Sequence, residues 1–165
     1  MEALDCLKKR RSVRRYRKES IPKEILEDII DCARLAPSAR NEQPCEFVAV
    51  TDAETLRKIA DITDHGKFIK DAAACILVCS RGDAKYYLED GSAATENILL
   101  AAKAHNVGSC WVAGDKKTYC DKIKGLLGIP ESFKLISIVP LGYYDIELKP
   151  PAKRKLKDVL HWEKF

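Results

Sequence analysis

The residues best equipped for chemistry lie near the two ends of the chain. Arg10-Arg11-Ser12-Val13-Arg14 sits inside KKRRSVRRYRK, where eight of eleven residues from Lys8 to Lys18 are Lys or Arg and none is acidic. Guanidinium groups bind phosphate oxygens in pairs, and a serine hydroxyl or backbone N–H completes such a cradle. A second basic stretch, KPPAKRKLK from Lys149 to Lys157, carries five cations and again no acid. Outside the two stretches, 16 basic residues face 25 acidic ones, so the body of the chain is acidic. That pattern points to an anion needing charge from both ends. A solvated basic face and a nucleic-acid arm are the competing readings. The acidic body argues against a broad nucleic-acid surface, and only Tyr16 is available for base stacking in the first stretch.

A second candidate is the loop Pro37-Ser38-Ala39-Arg40-Asn41-Glu42-Gln43-Pro44. Prolines stiffen both ends, and Ser38, Asn41 and Gln43 offer short polar groups; the plain alternative is an ordinary helix-to-strand loop. His65, His105 and His161 are widely spaced and read as structural, and no metal-ligand set is visible. The seven cysteines include no C-x-x-C pair. They read as buried reduced thiols, with a reactive thiol or an Fe–S ligand set as the alternative, and they favour a reducing cytoplasm. Dinucleotide-fold, P-loop, zinc-protease and hydrolase signatures are absent. No residue is marked as a general acid or base.

These groups need elements to hold them. Leu4 and Leu7 indicate a short opening helix over Ala3–Lys9. Ser20 and Pro22 start a second helix, Ile25, Leu26, Ile29, Ile30 and Ala33 give it an apolar stripe, and Pro37 stops it. Strands are expected at Glu46–Val50, Ala74–Ser80, Gly108–Ala113 and Lys134–Tyr143. Helices are expected at Ala53–Asp61, Leu88–Asn106 and Lys116–Leu127. The third of these strands follows the long helix, whose alanines would let a neighbour approach closely. At 165 residues this is one domain, residues 1–165, with an α/β or α+β sheet covered by helices. Residues 145–165 form a tail too apolar and aromatic for a free terminus, and a partner subunit is the natural place for it to dock. No apolar run is long enough to span a bilayer, and no secretory signal pattern opens the chain.

Five motifs in order resemble the nitroreductase family of flavoenzymes. They are Arg10-Arg11-Ser12-Val13-Arg14-Arg15-Tyr16, Ala36-Pro37-Ser38-Ala39-Arg40-Asn41-Glu42-Gln43-Pro44, Gly108-Ser109-Cys110-Trp111, Leu127-Gly128-Ile129-Pro130-Glu131, and Leu141-Gly142-Tyr143 followed by Pro150–Lys155 and His161-Trp162. The resemblance implies an α+β fold with a central, mostly antiparallel sheet flanked by helices. It also implies an intertwined homodimer with FMN at each of two interface sites. It would give Arg10, Arg11, Ser12 and Arg14 to the phosphate and the pyrimidine edge, with Arg154 and Lys155 as the second phosphate cluster. The register among Lys153, Arg154 and Lys155 stays open, because the proline often found after the basic pair is missing before Leu156. Pro37, Ser38, Ala39, Asn41 and Gln43 would reach the flavin from the other subunit. Cys110, Trp111, Val112, Ala113 and Gly114 would pass beside the ring.

The chemistry the resemblance implies belongs to the flavin. NADH or NADPH would deliver hydride to N5, and a nitroaromatic, quinone or similar acceptor would take the electrons in a ping-pong scheme. Arg14 is the candidate cation for the anionic reduced ring. The alternative is an FMN-binding store, sensor or flavin donor that does not turn over nicotinamide. Neither nucleic acid nor membrane is an expected partner. The chain is short for the family, leaving Thr63–Ile69 and Asp83–Glu89 as candidate lids, with Tyr86 and Tyr87 either stacking on an acceptor or simply exposed.

Overall fold

The structure is a computed structural model describing residues 2–165. Helix α1 (Ala3–Lys9) opens the chain, followed by α2 (Lys23–Arg34), β1 (Cys45–Val50), α3 (Ala53–Ile62), β2 (Ala74–Arg81) and α4 (Tyr87–Ala104). Then come β3 (Gly108–Ser109), β4 (Val112–Ala113), α5 (Cys120–Leu127) and β5 (Phe133–Gly142). The expected elements are all present. Strands β1, β2 and β5 pair antiparallel in that spatial order, and the free edge of β5 takes β3 and β4 in turn.

Period-two alternation sorts the sheet into two cores. From β2, Ala74, Ile76 and Val78 face α2 and α4, while Cys75, Leu77 and Cys79 face α3 and α5. Cys75 and Cys79 thus share a face, as the alternation predicts. A bulge interrupts β5: Val78 lies opposite Ser137 but Cys79 opposite Leu135. It turns two successive residues, Ile136 and Ser137, onto the α4 side. Ile136 then fills the space over Gly91, where an added Cβ would lie 2.6 Å from its Cγ1. The Ser137 hydroxyl shares a 2.7 Å hydrogen bond with buried Thr95. Helix α4 is therefore seated directly on the sheet, with α2 over its alanines and Asn97 donating to the Cys32 carbonyl at 2.9 Å.

Two boundaries differ from the periodicity. The expected strand at Gly108–Ala113 is split, because Cys110 and Trp111 leave the β5 ladder between Ser109↔Leu141 and Val112↔Ile138. Helix α5 begins at Cys120 rather than Lys116, after a turn in which Asp115 takes a positive φ of 28°. Its end matches the glycine signal: Gly128 is left-handed at φ 65°, and the Ile129 N–H returns to the Lys124 carbonyl.

Candidate functional site

The N-terminal basic segment is anchored by its two apolar residues. Val13 is buried and its N–H donates to the Ser109 carbonyl at 2.8 Å; Ser12 adds a parallel bridge to Ser109. The Tyr16 hydroxyl donates to the Val13 carbonyl at 2.8 Å and lies 3.3 Å from that of Pro140. Burial pushes the Tyr16 hydroxyl far above its ordinary pKa, so it remains a donor. Both side chains lie over glycines. A Cβ on Gly108 would come within 2.8 Å of Val13 Cγ2, and one on Gly142 within 2.7 Å of the Tyr16 ring. With these two residues locked inward, Arg14 between them and Arg10, Arg11 and Ser12 before them are left to face a common cleft.

They line a cleft of about 740 Å³ formed by Leu7, Lys8, Arg10, Arg11, Ser12 and Arg14 on one side and Leu148–Pro151 with Lys153 on the other. Six cations and no acid border it. Among the described residues, only Arg10 has a carboxylate near, Glu96 at 3.8 Å. Arg11 donates to the carbonyls of Lys8 and Arg10 at 2.8 and 2.7 Å, while its Nε is buried with no partner among the described residues. A buried, unsatisfied guanidinium N–H is costly unless a ligand accepts from it. An acid-free cleft with such a donor fits a phosphomonoester. The second basic stretch reaches it through Lys149 and Lys153. Lys149 was not singled out from the sequence, although the charge run contained it. Arg154 instead donates to the Asp158 carbonyl within the tail, and Lys155 is exposed beside it.

Arg14 also lines a second, narrower cleft of about 140 Å³. The break between β3 and β4 supplies one wall, Cys110 to Ala113, and His65, Phe68, Lys117 and Tyr119 supply the other. The Arg14 guanidinium carbon sits 5.9 Å from the Phe68 ring centre, a cation–π distance. Cys110 is buried, and that burial pushes its thiol up against the smaller opposing pull of Arg14 and Arg10. It is a neutral wall, not a nucleophile. Gly114 does not border this cleft; it packs under β5, where a Cβ would meet the Leu135 carbonyl oxygen at 2.4 Å. Phe68 and Tyr119 carry no sequence motif, and only the fold brings them here.

The Pro37–Pro44 loop lies elsewhere. Arg40, Asn41 and Gln43 all take left-handed backbone, with φ of 52°, 57° and 48°. Non-glycine residues hold that conformation only when their surroundings impose it. Here Ser38 Oγ accepts from the Gln43 N–H at 2.9 Å, and Asp90 Oδ1 accepts from the Ala39 N–H at 3.0 Å. Asp90 is a buried residue of α4 that sequence reading missed; its Oδ2 has no partner among the described residues. Pro37, Ser38 and Gln43 line a cleft with Asp90 and Phe47, while Ala39 with Tyr86 lines its shallower neighbour. Asn41 is exposed at the loop tip and Tyr87 lies 3.5 Å from the Asp115 carboxylate.

Helix α4 separates the two groups. The loop is tied to Asp90, whereas the basic segment meets the helix farther along, Arg10 lying 3.8 Å from Glu96. Six residues of helix correspond to about 9 Å. Within one chain, the loop and the basic cleft share no wall.

The nitroreductase family model matches residues 7–73 and 63–143. A protein of Methanothermobacter thermautotrophicus named "Putative NADH dehydrogenase/NAD(P)H nitroreductase" is 34% identical, covering 100% of this chain and 88% of its own. A solved FMN-dependent nitroreductase from Clostridium difficile R20291 superposes with a TM-score of 0.92 at 31% identity, covering 98% of this chain and 99% of that one. Human iodotyrosine deiodinase 1 is 30% identical over 95% of this chain and 66% of its own length. The five ordered motifs, the antiparallel sheet with its flanking helices, and these matches agree: the chain belongs to the nitroreductase family.

Proposed function

We propose that this chain is one subunit of a homodimeric, FMN-dependent oxidoreductase that takes reducing equivalents from NADH or NADPH and passes them to a small organic acceptor. The observation that carries the reading is the acid-free cationic cleft with the partnerless Arg11 Nε, joined through Arg14 to the slot beside Cys110–Ala113. Arg10, Arg11, Ser12, Lys149 and Lys153 would hold the phosphate. Arg14 would keep positive charge at the pyrimidine edge, and Val112 and Ala113 would border the ring. When bound, FMN supplies acceptance of hydride from a reduced nicotinamide and delivery of electrons to the acceptor, in two half-reactions through one site. The chain's own contribution is binding, orientation and a fixed cation, which lowers the cost of negative charge developing nearby.

A dimer accounts for the distance across α4. Pro37, Ser38, Ala39, Asn41 and Gln43 would complete the site of the other subunit. The tail supports the same reading: every residue from Lys149 to Phe165 is exposed, including Leu156, Trp162 and Phe165. Large exposed apolar side chains in one segment mark a docking surface. Relatives named for nitro compounds and for iodotyrosine add nitroaromatics and halogenated phenols to quinones as the acceptors to test.

The test is anaerobic. FMN-loaded protein should lose its flavin absorbance on addition of one equivalent of NADH or NADPH and regain it on addition of a quinone or nitroarene. Absorbance unmoved by both nucleotides would overturn the reading in favour of flavin storage.

A further inference from the structure

The phosphate cleft uses only part of the N-terminal charge. Arg15, Arg17 and Lys18 do not border it, and neither does Lys70. These four line a separate cleft of about 450 Å³ with Arg14, Tyr16, Glu19, Ser20 and Asp71–Ala73. Five cations meet two carboxylates there. Arg17 spends its charge on Glu19 at 2.5 Å, while Arg14, Arg15, Lys18 and Lys70 make no ion pair among the described residues.

The backbone beneath these cations is fixed. The Arg17 N–H donates to the Tyr143 carbonyl at 2.8 Å, and the Tyr16 ring lies over Gly142. On the other wall, Lys70 belongs to the turn Lys67–Asp71, which Ile69 ties into the core. Repelling charges held together by rigid supports favour a multiply charged anion. The position of the cleft identifies the anion. Arg14 is common to this cleft, to the phosphate cleft and to the slot beside Cys110–Ala113. With the flavin ring in the slot, a donor stacked against that ring would have its charged groups within reach of Arg14 and of its neighbours Arg15, Lys18 and Lys70.

We infer that the Arg15–Lys18–Lys70 cleft binds the phosphates of the dinucleotide donor, separately from the phosphate of the flavin. The inference rests on the function proposed above and adds a subsite to it. The shared chemistry is phosphate, with two sources: the pyrophosphate common to NADH and NADPH, and the 2′-phosphate of NADPH alone.

The test uses FMN-loaded protein and the double variant R15E/K18E. ADP-ribose and 2′-phospho-ADP-ribose report binding directly by calorimetry, without any redox step. The donor 1-benzyl-1,4-dihydronicotinamide reports flavin reduction without any phosphate. The variant should bind ADP-ribose at least about tenfold more weakly, a loss of about 1.4 kcal/mol. Its FMN content and its reduction by the benzyl donor should match wild type. An equal loss for both probes assigns the cleft to the pyrophosphate; a loss larger for the 2′-phosphorylated probe assigns it to the 2′-phosphate. Unchanged binding of both probes, or wild type binding neither at millimolar concentration, overturns the inference. So does a variant that reduces more slowly with the phosphate-free donor as well. Failure of the proposed function is a different result: wild-type flavin not reduced by any donor.

Discussion

Arg14 is the residue on which the three clefts converge, and its removal should be felt in more than one of them. Arg14→Ala should weaken FMN binding by about tenfold to a hundredfold, the worth of one hydrogen bond to a charged group, and should slow flavin reduction. Fluorescence titration with FMN and stopped-flow reduction measure the two effects. Unchanged affinity and rate would remove Arg14 from the site. The thiols make a second residue-scale prediction. Burial holds Cys79 up at about 12 against an ordinary 9.0, and pushes Cys75 up as well. In the unfolded chain both thiols ionise near 9; in the folded chain they stay protonated. Their contribution to stability is thus full below pH 9 and is lost as pH rises toward 12, by about 1.4 kcal/mol per pH unit for each thiol held neutral. Urea titrations at pH 8, 9.5 and 10.5 should show falling stability, and replacing Cys79 with Ala should flatten the fall.

At the scale of elements, apolar periodicity and capping signals located helices and strands well because those signals are local. Ile25 to Ala33 marks α2 in any context, and Gly128 ends α5 in any context. The departures have tertiary causes. The strand at Gly108–Ala113 divides opposite Pro140, which has no N–H to continue the ladder and whose carbonyl faces the Tyr16 hydroxyl instead, and no pattern local to Gly108–Ala113 records that. The candidate site divides the same way. Arg10, Arg11, Ser12 and Arg14 could be read directly from charge and spacing. Phe68 and Tyr119 reach the slot only through the packing of other elements, and Lys149 was hidden within a run of similar cations. Asp90 is the most instructive case, one of three carboxylates in α4 and the one whose role depends on a loop fifty-one residues away. Asp90→Ala should leave the Ala39 N–H unsatisfied and cost about 1–3 kcal/mol. Asp90→Asn keeps an acceptor and should lose less. Thermal melts and hydrogen exchange at Ala39 measure this; equal melting temperatures for wild type and Asp90→Ala would show that the loop is held by its prolines alone.

For the whole molecule, an acidic body with two basic ends becomes intelligible once Lys149 and Lys153 are seen across the cleft from Arg10 and Arg14. The exposed aromatic end of the tail remains unsatisfied within one chain, and the proposed dimer gives it a surface. Ending the chain at Lys155 removes Leu156 to Phe165 but spares the cationic cleft. By sedimentation, that truncation should shift the protein toward monomer at micromolar concentration and reduce the FMN it retains. A truncated protein as dimeric and as yellow as the full chain would show that the tail does not bridge subunits.

The most direct test of the central claim compares FMN with riboflavin, which differs only in lacking the phosphate. If the two basic ends exist to hold that phosphate, the purified protein should bind FMN at least about a hundredfold more tightly than riboflavin, as expected for two or more charge-assisted hydrogen bonds. The gap should narrow as salt is raised. Equal affinity for the two flavins, or binding of neither, would contradict the account.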